Sequence, residues 1–316
     1  MTPRSYIRYV VLVAAVASTF IADGQVQTPA EVRALPAWAG EDAAARSLPL
    51  HYVFRDSNGQ IVVSYPHPDN HGRRVTYRFW LPNRVDPHLD ASVTKKDESG
   101  QSMFTYTYKL QNGPSAVSAI RYWSVVVPAR QEVIVGHPSW RGSNARDPVA
   151  PQALLPDAPV GAFVLWLAVN VPQLSAGAEL PNFTLRSRFS PGLTTAYASG
   201  EGVLEEPDGE FPQAVVDELI PLQRPQVWRK PVLTIGPRFA SGTPLPTILE
   251  SFRKDVVSLI QQRLLSSESS YVQELQGVLA RKESTVTAVL GRKVSPQSPI
   301  EKDLDSALRM SAIATQ

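Results

Sequence analysis

Cysteine is missing from this chain altogether. Its absence excludes disulfide staples, thiolate nucleophiles and cysteine-bound zinc, so packing and hydrogen bonds must hold the fold. An excess of either charge is missing too. Lys and Arg total 31 against 29 Asp and Glu, a formal net charge of +2. That balance speaks against a nucleic-acid partner, which needs a strongly basic surface. Also lacking are a Gly-x-Ser-x-Gly elbow, a P-loop and a dinucleotide fingerprint. No motif asks for a cofactor, so none is expected. Past Gly24 no apolar run reaches the roughly 20 residues of a membrane-spanning helix. No repeat with a period of about 20–50 residues is visible.

What is present describes an exported, β-rich protein. Hydrophobic residues make up 43% of the 316-residue chain and charged residues 19%, enough for a sizeable core and no sign of global disorder. The length suggests about two domains at roughly 150 residues each. Proline outnumbers glycine 28 to 18, which favours an all-β domain with stiff loops over an α/β one. Residues 1–24 have the organisation of a signal peptide. Arg4 and Arg8 supply the positive n-region, Tyr9 to Ala22 the apolar stretch, and Ala22 and Gly24 the small residues of a cleavage site before Gln25. The alternative is an uncleaved N-terminal anchor. The expected location is therefore periplasmic or extracellular, with no membrane span once the signal is removed. Residues 25–49, rich in Ala, Pro and Glu, form a lead-in with one short helix around Glu41 to Arg46.

Strand patterning begins near Leu50. Asp56-Ser57-Asn58-Gly59 separates two apolar runs, and Asn-Gly is a strong hairpin signal. Val75, Tyr77, Phe79 and Leu81 then alternate with Thr76, Arg78 and Trp80. The stretch from Ser102 to Pro128 is central. Phe104, Tyr106, Tyr108 and Leu110 alternate with polar residues, the period of two that marks a half-buried strand. Asn112-Gly113-Pro114-Ser115 supplies turn residues, and a second run from Ser118 to Val127 completes an expected hairpin. Before that stretch, residues 82–101 read as a polar, solvated connection. Gly161 to Val171 reads as a buried strand, and two more strands follow up to Leu204. About nine to eleven strands at this spacing predict an antiparallel sandwich over residues 50–204. Residues 205–246, with prolines at 207, 212, 221, 225, 231, 237, 244 and 246, read as a linker packed along it. Residues 247–316 read as a helical tail. Leu249, Phe252, Val256, Leu259, Ile260 and Leu264 form one apolar stripe, and Ser298-Pro299-Ile300-Glu301 is a capping box opening a last helix. The fold class is thus mainly β: an antiparallel β-sandwich, Ig-like or jelly-roll-like, with a C-terminal α-helical tail. That tail is expected to pack partly on the sandwich and to offer a surface for self-association.

Two groups of residues are candidates for function. His67, Asp69 and His71 bring two imidazoles and a carboxylate into five residues, a set able to converge on a divalent metal. The same residues, with Pro68, Asn70 and Gly72, are what an ordinary turn is made of. Ser139 lies two residues from His137, but adjacency in sequence is not triad geometry. The second group is aromatic. If the Tyr77/Phe79 face points inward, Trp80 points out beside Arg78. In the next run Trp123 and Arg121 lie on the face opposite Tyr122. Together they would form a flat surface for sugar rings or a protein partner, unless the tail covers it.

Phe104 to Asn112, followed downstream by Leu180-Pro181-Asn182-Phe183-Thr184-Leu185-Arg186-Ser187 and Ser190-Pro191-Gly192, resembles a pattern in uncharacterised secreted bacterial β-sandwich proteins. The resemblance spans Leu50 to Gly202 and implies an exported β-sandwich, with no activity attached. The expected function is a non-catalytic binding or structural module for a protein or glycan. The alternative is a metal-assisted hydrolase centred on His67, Asp69 and His71. A surface exposing Trp80 and Trp123 would favour the first, and further histidines converging on that loop the second.

Overall fold

The computed structural model describes residues 51–67, 74–128, 134–145, 155, 162–200, 211–220, 229–281 and 285–315. The expected signal peptide and lead-in lie outside the described residues. The described chain is mainly antiparallel β, in three sheets, with helices at the C-terminal end.

The first sheet is small: β1 (Tyr52–Arg55), β2 (Ile61–Pro66) and β3 (Arg74–Phe79), in that order. Its β1–β2 connection follows the Asn-Gly signal, with a different turn from the one that signal usually marks. Only Gly59 takes a positive φ, at 87°, and its N–H donates to the Asp56 carbonyl at 3.0 Å. This is a tight turn followed by a left-handed glycine, one residue longer than the two-residue turn with two positive φ angles. The inner face of this sheet carries Ile61, Val63 and Tyr65. They pack with Phe211 and with Val215 and Leu219 of α1 (Gln213–Leu219) into a core of their own.

The second sheet has the order β4 (Pro87–Glu98), β5 (Gln101–Asn112), β10 (Glu179–Ser187), β7 (Ile134–Gly136). The third has the order β12 (Lys230–Phe239), β11 (Ser190–Ser199), β6 (Tyr122–Val126), β9 (Phe163–Leu167), β8 (Arg141–Ala145). The alternation in β5 sends Phe104, Tyr106, Tyr108 and Leu110 inward, all buried. Their partners come from the other sheet. Trp123 and Trp166 stack with ring centroids 4.4 Å apart, Phe183 meets Trp123 edge-on at 5.0 Å, and Tyr108 meets it at 5.4 Å. Aromatic pairs of this geometry contribute about 0.5–1.5 kcal/mol beyond their buried area.

Two sequence expectations need correction. The central stretch is not a hairpin, because β5 and β6 belong to different sheets. Asn112, fully buried, manages the crossing: its side-chain amide donates to Ser118 O at 2.9 Å and to Leu174 O at 3.0 Å. The long hairpin is β4–β5, paired from Pro87↔Asn112 to Glu98↔Gln101 and closed by Ser99 (φ 52°) and Gly100 (φ 74°). The polar connection is therefore a 12-residue strand, whose inward positions are the modest Leu89, Ala91 and Val93.

Second, the proline-rich stretch holds β12. Among the described residues that strand pairs with β11 only, at the edge of its sheet, and a strand paired on one side tolerates Pro231 and Pro237. The C-terminal helices pack on the main core, more fully than the partial contact expected of the tail. Ile248, Leu249, Phe252, Val256 and Leu259 of α2 (Leu245–Gln261) join the main core, with Tyr271, Val272 and Leu275 of α3 (Ser270–Leu279). Val289 of α4 (Val286–Leu290) and Leu304, Ala307, Leu308 and Ala312 of α5 (Pro299–Ile313) complete it against β11 and β12. The apolar stripe of the tail is spent on this core, and of its six residues Leu264 alone stands exposed.

Two polar devices hold the helices in place. Glu301 closes the capping box with Ser298 and also accepts from Ser269 Oγ and Gln297 N, both at 2.6 Å. Arg238 of β12 forms a bidentate pair with Asp255 of α2, with side chains 3% and 0% exposed. Its guanidinium also donates to Leu193 O and Ser251 Oγ, each at 2.9 Å. Gly192 leaves the room for this: a Cβ there would meet Arg238 Cδ at 2.5 Å.

Candidate functional site

The site begins with Asp56, at the turn between β1 and β2. Its Oδ1 accepts the backbone N–H of Asn58 at 2.9 Å and of Gln60 at 3.0 Å, an aspartate folding its own turn. Its Oδ2 accepts from Arg78 Nη1 at 2.8 Å. One carboxylate thus shapes the turn and fixes the Arg78 guanidinium, which remains 56% exposed. Trp80 follows at the end of β3, half-buried. The guanidinium of exposed Arg84 lies 5.8 Å from the centre of its ring, and Gly59 backs the ring edge. An exposed cation–π contact of this kind contributes about 0.5–1 kcal/mol. Arg78, Trp80, Arg84 and Asp56 therefore form one face, two guanidinium groups and a carboxylate around an indole. Arg84 was not singled out from sequence; its signal was a cation four residues past an outward tryptophan.

The other two residues expected on this face lie elsewhere. Trp123 is 0% exposed, inside the main core. It pairs across strands with Ala198 on one side and Trp166 on the other, so the indole fills the space over the small alanine. Tyr122 takes the outward side. Arg121 is half-buried beside the third sheet, where its N–H donates to Ser199 O at 2.9 Å. No continuous Trp80/Trp123 surface forms.

Of the metal candidates, His67 is buried, with its ring stacked on Tyr65 at 6.0 Å. Asp69 and His71 lie outside the described residues. Among the described residues no three His, Asp or Glu groups gather as a metal site would require. His137 is fully engaged. Its Nδ1 accepts from Trp140 N at 2.8 Å and Ser139 N at 3.1 Å, and its Nε2 donates to Pro181 O at 3.2 Å. Its ring stacks on Phe183 at 4.1 Å. Partial burial lowers its pKa against the Pro181 hydrogen bond, which favours the neutral ring. The Ser139 hydroxyl also reaches Nδ1, at 3.4 Å, farther out than the two backbone N–H groups that share that nitrogen.

The structure also assembles a polar cluster that sequence reading missed. Asp86 accepts from the Ser115 hydroxyl, and Lys230 Nζ and His88 Nε2 approach it at 3.4 and 3.5 Å. The Ser115 bond, then Lys230 and His88, hold its carboxyl below the usual value despite partial burial. The arrangement ties the segment before β4, the loop after β5 and the start of β12 together. The contacts join residues 29 and 144 positions apart, a separation no local pattern reveals. On α5, burial and then the nearby Asp90 push the Asp303 carboxyl up to about 7.

Comparison with family models, with curated proteins and with solved structures finds no match for this chain. Among the described residues no helix is long and apolar enough to cross a membrane.

Proposed function

We propose that this chain is an exported, non-catalytic binding module, periplasmic or extracellular, whose two large sheets make an antiparallel β-sandwich of Ig-like or jelly-roll-like kind. The observation that carries the reading is the Arg78–Trp80–Arg84–Asp56 face. It is displayed on a small sheet whose core is separate from the main one. An indole flanked by two guanidinium groups and a carboxylate suits a glycan: the indole offers apolar contact to a sugar, and the charged groups offer strong hydrogen bonds to its hydroxyls. The face needs no group activated for chemistry.

Co-sedimentation with insoluble peptidoglycan tests the reading. The full-length protein is expected in the pellet, and Trp80→Ala in the supernatant with an unchanged circular dichroism spectrum. A central aromatic anchor is worth about 2 kcal/mol or more, roughly thirtyfold in affinity. Equal sedimentation of the variant, or none by the parent protein, would remove the proposal. Export is tested separately: the mature protein in the periplasmic or culture fraction is expected to begin at or near Gln25.

A further inference from the structure

The chain contains Asn-Gly twice, at Asn58-Gly59 and Asn112-Gly113, and the two sites differ in exposure and in how the asparagine side chain is held. We infer that Asn58 is a site of spontaneous deamidation and isomerisation, and that Asn112 is protected from it.

The reaction starts at the backbone nitrogen of the following residue. Once its proton is lost to base, that nitrogen attacks the asparagine Cγ. A C–N bond forms, the Cγ–Nδ2 bond breaks, and the leaving amide nitrogen departs with the proton as ammonia. Water then opens the five-membered succinimide at either carbonyl, giving aspartate or isoaspartate. Glycine speeds the first step because no Cβ crowds the attacking nitrogen.

At position 58 the structure leaves this path open. Asn58 is exposed at the tip of the β1–β2 turn. The attacking nitrogen belongs to Gly59, whose N–H is held by one hydrogen bond, to Asp56 O at 3.0 Å. Loop tips of this kind open locally at little cost. At position 112 the same path is blocked. Asn112 is 0% exposed. Its amide donates to Ser118 O and Leu174 O, and its Oδ1 accepts from Asp86 N at 2.9 Å. The Gly113 N–H is tied to Asp86 O at 2.7 Å. Reaction there requires undoing the crossing between the two large sheets.

The consequence falls on the neighbouring side chains. Conversion at position 58 puts a new carboxylate beside Asp56, the residue that fixes Arg78. Isomerisation also adds a methylene to the backbone of the turn that backs Trp80. The face described above therefore changes its charge and shape as the protein ages.

Peptide mapping by mass spectrometry, with isoaspartate-specific methylation, tests this on the intact chain held at mildly alkaline pH and 37 °C. The same chain unfolded in urea provides the comparison. In the folded protein, position 58 is expected to convert at least about tenfold faster than position 112, since the latter must await an opening of the core. In urea the two rates should converge. Asn58→Gln, which forms the larger cyclic imide only slowly, should abolish the early product. Equal conversion of both sites in the folded protein would overturn the inference. So would earlier conversion at position 112, or an intact Asn58 under conditions that convert it in the unfolded chain. None of these outcomes depends on whether the face binds a glycan.

Discussion

Replacing Asp255 by leucine would leave the Arg238 guanidinium in the core with its countercharge gone. The pair is bidentate and almost fully buried, and Arg238 would keep only its bonds to Leu193 O and Ser251 Oγ. Breaking a buried pair from one side costs about 3–5 kcal/mol, because the remaining charge stays desolvated. That is a large share of the roughly 5–15 kcal/mol by which a folded protein is stable. At about 2–4 °C per kcal/mol for a chain near this size, Tm should fall by roughly 6–20 °C. The double replacement Arg238→Met with Asp255→Leu behaves differently in this account. It removes both charges and fills the space with apolar atoms, so most of the loss should return. Urea unfolding of the parent, both single variants and the double variant closes the cycle. A single Asp255→Leu costing under about 1 kcal/mol, or a double variant as unstable as the worse single, would refute the reasoning.

Asp303→Asn should stabilise the protein at pH 8 and make little difference near pH 4. Burial holds the folded carboxyl at about 7, against 3.8 for a free aspartate, so the folded state keeps its proton more tightly. Its favourable contribution is complete below the unfolded value and is lost as pH rises through about 7. A gap of that size is worth roughly 4 kcal/mol at most, and partial solvent contact brings the expected gain to about 1–3 kcal/mol. Thermal melts across that pH range check the sign. Glu301→Ala should cost about 2–4 kcal/mol, because its carboxylate joins the start of α3 to the start of α5 through Ser269, Gln297 and Ser298. Burial alone would raise the Glu301 pKa, and these donors together lower it. Its contribution should therefore be present at neutral pH and be lost as acid protonates it, while Glu301→Gln should flatten that acid limb of the stability curve.

Local signals in the sequence translated well. The alternation in β5 put four large side chains where they pack, and the capping box at Ser298 forms with both of its hydrogen bonds. Glycine 59 marked a real turn, although of a different kind. Signals that depend on distant partners did not translate. Tyr122 and Trp123 are both aromatic, so which of them faces inward was set by Ala198 and Trp166, residues far along the chain. Strand β4 hid because its charged outward side chains read as solvated loop, and β12 hid because two prolines read as linker. The helical stripe and its partial contact with the sandwich were legible; how fully the strands would cover it was not, because periodicity describes a face and not what covers it. Arg78 and Trp80 were found by strand parity, whereas Arg84 and Asp56 needed the turn geometry that gathers them.

Hydrogen exchange with and without soluble peptidoglycan fragments tests the central claim most directly, since it asks where on the molecule a glycan sits. The account predicts slowed exchange in the segment from Asp56 to Arg84, centred on the turn before Gln60 and the end of β3, with the β4–β5 hairpin and the helices unchanged. Protection confined to the helices or to the outer face of β4 and β5, or no protection beside retained binding by Trp80→Ala, would contradict it.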